Sequence, residues 1–477
     1  MKKSTYSIFL DEERCTGCTN CIKRCPTEAI RVRDGKAKIL ADRCIDCGEC
    51  IRICPNHAPI PQSDSREKTK QFKYTIALPD PALFGQFKTK PSPRQILAAV
   101  LALGFDGVYE VAWAADAVSI AIREFIREHR GEGPWLSSSC PAVIRLIQVR
   151  FPSLTEQILP ILSPVEVAAK LAKEETSWQL DIPQQEIGCF YLTPCPAQVT
   201  AIRAPYHLEH SYVDGALAIS DLYCELREKI AGAREQGEPV KATALGLTWG
   251  RVGGQTRAVQ SDNYLAVDGI YNLLQVLEEI ELGKFDNNID FLECQCCQGG
   301  CVGGAFTVEN PFVARVTLRR MAGQLRPKLE AEKEQKVLEY NRKGYYRAEK
   351  EVEPYSIMSL DKDIAKAIYM VEQSEKILKQ LPGLDCGSCG CPTCRTLAED
   401  IVCGIATETD CIFKLREQVQ SLAEQMLALA LKVPPVTLVQ RQIMKTQREV
   451  LELAKRLPPV LAKRNQKSNQ KKGGEEE

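Results

Sequence analysis

Between about residue 73 and residue 345, short apolar runs such as YTIALP, GVYEVA and CFYLT alternate with longer stretches of helical period, such as SPRQILAAVLAL and VDGIYNLLQVLEEIEL. Strands that take turns with helices predict sheets with helical cover, so this segment reads as α/β. The pattern changes on either side. Residues 1–62 are dense in cysteine and end at a polar hinge, SDSREKTKQ. A further cysteine group lies in a segment of about 360–411. It is followed over 412–459 by two helical stretches separated by Pro434 and Pro435, which cannot sit inside one continuous helix. In the first stretch Ile412, Leu415, Val419, Leu422, Met426, Leu429 and Val433 recur in steps of three and four, the seam of a coiled coil. In the second, Val436, Val439, Ile443, Val450, Leu453 and Leu457 keep that rhythm, with Thr446 at one seam position. The end of the chain, 460–477, is low-complexity and is expected to be disordered. The whole is a multidomain α/β protein.

Charge adds little. Lys plus Arg and Asp plus Glu both number 62, so neither nucleic acid nor an anionic membrane exerts a strong pull. The start, MKKSTYSIFLDEERC, has no apolar run of signal-peptide length, and no segment approaches the roughly 20 apolar residues that span a bilayer. The expected location is cytoplasmic.

Cysteine changes the picture. There are 22, and without a secretory signal such a count points to metal binding before disulfides. Cys15, Cys18, Cys21 and Cys25-Pro26 form C-x2-C-x2-C-x3-C-P, and Cys44, Cys47, Cys50 and Cys54-Pro55 repeat it. This run resembles that of bacterial ferredoxins with two [4Fe–4S] clusters, in which the fourth cysteine serves the other cluster. The resemblance assigns Cys15, Cys18, Cys21 and Cys54 to one cluster and Cys44, Cys47, Cys50 and Cys25 to the other. Gly17 and Gly48 ease the tight turns. Zinc needs only four thiolates, so the doubled pattern fits two clusters better than zinc.

In the central segment, Cys140 lies in WLSSSCPAVIRLI, Cys195 in CFYLTPCPAQVTAIR, and Cys297 and Cys301 in FLECQCCQGGCVGGAF. Cys140 and Cys195 each precede a proline and then a helical pattern, which predicts a thiol at a helix amino terminus. The helix dipole and free amides there are expected to lower the thiol's pKa. Gly299, Gly300, Gly303 and Gly304 let backbone amides approach a bulky anion.

These loops resemble, in order, the three signature motifs of the [FeFe]-hydrogenase catalytic domain, over about 73–330. The resemblance implies an [FeFe]-hydrogenase-like α/β domain. It also implies Cys140, Cys195, Cys297 and Cys301 as ligands of a [4Fe–4S] cluster, with Cys301 bridging to a diiron unit that carries CO and cyanide. Several positions depart from the family. Ser139 stands where a proton-delivering cysteine is expected, and an aliphatic hydroxyl is far the weaker acid. Gln198 replaces the lysine that grips a cyanide, so charge assistance is lost. Thr193 and Gln295 replace two methionines that pack against the diiron unit. In GFDGVYEVAWAADAVSIAIREF, Ile122 and Phe125 occupy the places of proton-relaying glutamates. Ligands kept while proton carriers are lost resembles the sensory members of the family. The expected function is to bind or slowly turn over H2, passing electrons through [4Fe–4S] clusters to a redox partner such as ferredoxin. A slow metabolic hydrogenase and a pure electron carrier without the diiron unit remain alternatives.

LPGLDCGSCGCPTCRTLAEDIVCGIATETDC resembles the small four-iron domain of electron-transfer subunits, with Cys386, Cys389, Cys394 and Cys411 as ligands and zinc as the other candidate occupant. That makes four [4Fe–4S] clusters. Cys391 and Cys403 are extra, and either fits a plain buried thiol; Cys189, Cys224, Cys294 and Cys296 read as non-ligands. His57, His129, His207 and His210 show no metal spacing. The apolar seam after Cys411 fits either an intramolecular hairpin or a contact with another chain, whether a homodimer or a signalling protein acting in trans.

Overall fold

The computed structural model describes residues 6–232, 239–285, 288–355, 360–361, 363–432, 442, 445–449 and 452. The seam residues from Val433 onward, apart from Thr446, and the expected disordered end lie outside these. The chain divides into two compact units. One comprises residues up to 367 together with 390–392; the other comprises 368–389 and 393 onward.

The first unit begins with a small α+β fold. Strand β1 (Ile8–Leu10) runs antiparallel to β4 (Pro59–Pro61), and β2 (Ile30–Arg33) pairs with β3 (Lys36–Ile39). Asp34 and Gly35 join β2 to β3 with φ of 54° and 74°, the left-handed pair that a two-residue hairpin of this twist requires. Two short helices, α1 (Asn20–Lys23) and α2 (Glu49–Ile53), carry cysteines. Gly17 (φ 67°) precedes α1, and Gly48 (φ 79°) caps α2. A Cβ at Gly17 would lie 2.5 Å from the Gly35 carbonyl oxygen, so glycine is required there on two counts.

Two parallel sheets follow. In the larger, the strand order is β6 (Gly107–Val108), β5 (Tyr74–Pro79), β8 (Ile187–Thr193), β9 (Gly215–Ala218). In the smaller it is β10 (Tyr264–Asp268), β11 (Phe291–Gln295), β7 (Trp135–Leu136). Every residue of β8 and β11 is buried, as in a parallel sheet covered on both faces; β8 is apolar up to Thr193, whereas β11 also buries Glu293 and Gln295. Helix α3 (Pro93–Leu101) begins at the SPRQ box. Gln95 N donates to Ser92 Oγ at 3.3 Å, and Ser92 N donates to Gln95 Oε1 at 2.8 Å. Helix α4 (Val111–Glu128) buries its length in the core that also holds Leu78, Tyr191 and residues of α6 (Pro164–Leu180). Helices α5 (Pro141–Arg150) and α7 (Pro196–Arg203) start directly after Cys140 and Cys195.

The α+β part is docked on the smaller sheet. Ile45 packs into the core formed by Leu136, Ile147 and Ala197. Beside it the Asp46 carboxylate accepts from Ser7 N at 3.0 Å and from Thr200 Oγ1 of α7 at 2.6 Å, while the two hydroxyls lie 2.8 Å apart.

In the second unit, helix Cys394–Val402 carries one thiol of the third group. Helix Ile412–Lys432 leaves its seam open: Ile412, Leu415, Val419, Leu422, Met426 and Leu429 are each between 46 and 68% exposed. Among the described residues nothing covers this stripe, and no helix is long and apolar enough to cross a membrane.

The Asp46 pin gives a direct test of docking. Thr200→Val keeps the shape and removes a donor to a buried carboxylate, which should cost about 1–3 kcal/mol. Denaturant unfolding should show the loss. An unchanged midpoint would mean that Ile45 packing alone holds the α+β part in place.

Candidate metal centres

The eight amino-terminal thiols lie close together. The Cys21 thiol lies within electrostatic reach of Cys15, Cys18 and Cys54, and Cys50 within reach of Cys47, Cys25 and also Cys21; Cys44 senses Cys25 and Cys50. Backbone amides point at the sulfurs: Ala37 N donates to Cys15 at 3.3 Å, Ala29 N to Cys25 at 3.1 Å and Ala58 N to Cys54 at 3.4 Å. Burial nevertheless pushes Cys21 and Cys25 up to about 11. These two thiols therefore become anionic only around a cationic occupant. Among the described residues no three His, Cys, Asp or Glu side chains converge on a single-ion point.

The four central thiols surround one cavity. Its position follows from the topology. β7 leads to Cys140, β8 to Cys195 and β11 to Cys297, so the carboxyl ends of strands from both parallel sheets meet there, as ligand sites in such sheets do. Cys140 and Cys195 are the helix N-cap residues expected, each with proline following. The expected low pKa does not follow. Burial pushes Cys140 up to about 11 and Cys195 well above its ordinary value, despite amides that pull the other way. Desolvation outweighs the helix terminus. Cys297 is the exception, pulled down by a hydrogen bond from Cys296 and by the Arg52 guanidinium. Gly300, at φ 92°, has no room for a Cβ, which would meet Gln295 Oε1 at 2.1 Å.

This donor set fits a four-iron cluster, and the remaining walls fit a second, polar-ligated group beside it. Gln295 is 2% exposed, lines the cavity, and has neither end of its amide hydrogen-bonded. Gln198 also lines it and donates to the Ser139 carbonyl at 3.5 Å. Ser139 lines the cavity as well, next to Ser137, whose hydroxyl donates to Gln255 Oε1 at 2.6 Å. Thr193 is not on the wall; it is fully buried and its hydroxyl braces the Cys195 loop, donating to the Cys195 carbonyl at 3.1 Å. Ile122 and Phe125 lie in the apolar core around α4.

Asp80 and Tyr191, hydrogen-bonded to each other on the cavity wall, escape a reading of cysteine spacing. So does Arg52. Asp80 follows a buried strand in ALPDPALF, and a lone acid at such a strand end was the available signal.

In the third group, Cys394 and Cys411 are buried and Cys386 and Cys389 half-buried. Cys394 N donates to Asp385 Oδ1 at 2.6 Å. Of the extra thiols here, Cys391 is buried but Cys403 is exposed: it caps the end of helix Cys394–Val402, beyond its apolar face. Cys189, Cys294 and Cys296 are buried and Cys224 is exposed. His207 is buried, and desolvation lowers its pKa to about 4.

Comparison with known families agrees with this layout. Residues 73–264 and 254–305 match the C-terminal domain of the iron-only hydrogenase large subunit. Residues 7–55 match a 4Fe-4S dicluster domain, and 381–413 match a family of Fe-S cluster domains. Among solved structures, a variant of apo [FeFe]-hydrogenase HydA1 from Chlamydomonas reinhardtii superposes with a TM-score of 0.50 at 12% identity, covering 61% of this chain and 99% of that one. A second HydA1 variant gives 0.49 at 14% identity with the same coverage. At these identities the likeness is one of fold.

Behind the cavity a smaller hollow shares Ser163 and Gln198 with it and is lined by Glu166 and His207. Burial raises Glu166 to about 7, although Ser211 Oγ (2.6 Å) and Tyr212 N (2.9 Å) donate to it. The folded value lies above the ordinary 4.5. The group's stabilising contribution is therefore full below about 4.5 and is lost as pH rises through about 7. Glu166→Gln should remove this slope. Wild-type unfolding free energy should fall relative to the variant between about pH 5 and pH 8, by a difference on the order of 3 kcal/mol. Parallel pH profiles would refute the assignment.

Proposed function

Because the chain is an [FeFe]-hydrogenase-like iron–sulfur protein with an amino-terminal ferredoxin domain, we propose that it senses hydrogen, binding or slowly turning over H2 at the central cavity. The observation that carries this reading is the contrast around that cavity. Four thiols surround it, while Ser139 on its wall and Ile122 and Phe125 in the α4 core stand where proton carriers are expected. Cys140, Cys195, Cys297 and Cys301 would hold a four-iron cluster, and Cys301 would also bridge to a diiron unit. When bound, that unit supplies the redox-active metal at which H2 is interconverted with two protons and two electrons. Gln198 and Gln295 offer neutral amide donors to its ligands. Ser139 is the nearest hydroxyl in the place of the proton-delivering thiol. The amino-terminal and carboxyl-terminal thiol sets, as three further four-iron clusters, carry electrons to a partner such as ferredoxin, in the cytoplasm.

Infrared spectra of protein coexpressed with the maturation enzymes should contain CO and cyanide bands; their absence would leave only an electron carrier. Hydrogen evolution should be slow, and Ser139→Cys should raise it. A thiol shuttles protons near neutral pH, and a placed acid or base contributes about 10²–10⁴-fold. The gain should fall at the low end, since Ile122 and Phe125 still interrupt the way out. A wild-type rate that Ser139→Cys leaves unchanged would remove the physical basis for the sensory reading.

A sensor needs an output, and the open stripe of helix Ile412–Lys432 is the surface proposed to reach one, through a homodimer or a signalling protein in trans. Deleting residues 412–477 should leave iron content unchanged, since every proposed ligand lies at or before Cys411. Light scattering should then report a dimer in the full chain and a monomer in the truncated one. Monomers in both would exclude the homodimer.

A further inference from the structure

The ferredoxin domain touches the central cavity through one side chain that the proposed function does not use. Arg52, on α2, sends its Nη2 to Cys297 Sγ at 3.1 Å and to the Gly303 carbonyl at 3.1 Å. Its Nη1 donates to the Cys47 carbonyl at 3.0 Å and to Glu49 Oε1 at 2.9 Å. One planar fork thus holds the backbone of a ferredoxin-cluster cysteine with one prong and the sulfur of a central-cluster cysteine with the other. Beneath it the Cys296 thiol, 2% exposed, lies within hydrogen-bonding reach of both Cys297 and Cys47. Two independent links, one charged and one neutral, therefore join the same pair of cysteines.

We propose that Arg52 is a positioning residue that raises the reduction potential of the central four-iron cluster, and that with Cys296 it forms the bridge along which the ferredoxin domain's second cluster and the central one are coupled. This rests on the reading of Cys297 as a cluster ligand and Cys296 as a spare thiol. The physics is that of sulfur ligation. Reducing a cluster adds negative charge to its sulfurs, and a hydrogen-bonded cation stabilises the reduced form more than the oxidised one. The guanidinium side chain is 32% exposed, so solvent screens part of its effect. The contact to a single sulfur means that the central cluster should respond more than the ferredoxin pair, which Arg52 meets only through a carbonyl.

The test is a potentiometric titration of the full-length four-iron protein, made without maturation enzymes and followed by electron paramagnetic resonance. The central transition is identified as the one abolished by Cys140→Ala. Arg52→Gln should make the central cluster harder to reduce: at the wild-type midpoint, its oxidised-to-reduced ratio should rise roughly tenfold, while the ferredoxin transitions move less. Arg52→Lys keeps the charge and should recover part of the shift. Cys296→Ala should keep its full iron content and weaken magnetic coupling between the two clusters. A central midpoint in Arg52→Gln within twofold of wild type, with full iron content, would overturn the inference and leave the hydrogenase-like reading standing. Loss of the central cluster in Cys296→Ala would show Cys296 to be a ligand and overturn the ligand reading on which the inference stands.

Discussion

A thiolate taken out of water is costly unless cations or hydrogen bonds meet it, and this chain buries or half-buries nearly all of its clustered sulfurs. Desolvation is the leading cause at Cys21, Cys25, Cys140, Cys195 and Cys301, and it raises every one of them. The polypeptide prepares the sites sterically, through left-handed glycines and amides aimed at sulfur, and leaves most of the charge to be neutralised by iron. Metal loading and the stability of these loops should therefore be tightly linked. The surrounding α/β frame matters because it brings three strand ends, those of β7, β8 and β11, to one cavity.

Much of this was legible along the chain. The doubled C-x2-C-x2-C-x3-C-P run pointed to the 4Fe-4S dicluster domain that residues 7–55 match, because three thiols two residues apart need a tight loop around a cluster. Proline after Cys140 and Cys195 located two helix starts. The same reasoning misjudged those thiols' acidity, since one helix terminus competes with full burial and loses. Of the two spare thiols in the third group only Cys391 is buried, because Cys403 falls just past the end of its helix. Asp80, Tyr191 and Arg52 were invisible to spacing altogether. Their partners are 111 and 245 residues away, and only the parallel topology and the docking of Ile45 bring them together.

Electron and proton handling are separable in such a molecule, and this chain treats them differently. On the sulfur side contacts are dense: the Asp46 carboxylate, the Arg52 fork and the Cys296 thiol all sit where the ferredoxin part meets the central cavity. On the far side of the cavity, α4 presents Ile122 and Phe125 to an apolar core; its buried polar groups are Asp116, held by Thr243, and Ser119, which accepts from Trp249 Nε1. Asp80 is on the cavity wall itself, its carboxylate held by the Tyr191 hydroxyl; Glu166, behind that wall, is tied to Ser211 and the Tyr212 amide and does not line the cavity. Turnover needs two protons for every two electrons, so the slower supply sets the rate. If H2 is bound there as proposed, a proton supply slower than the electron supply would let it change the redox state of the clusters more readily than sustain flux. A change of state without flux is what a sensor transmits, and that is the argument behind the proposed sensory reading.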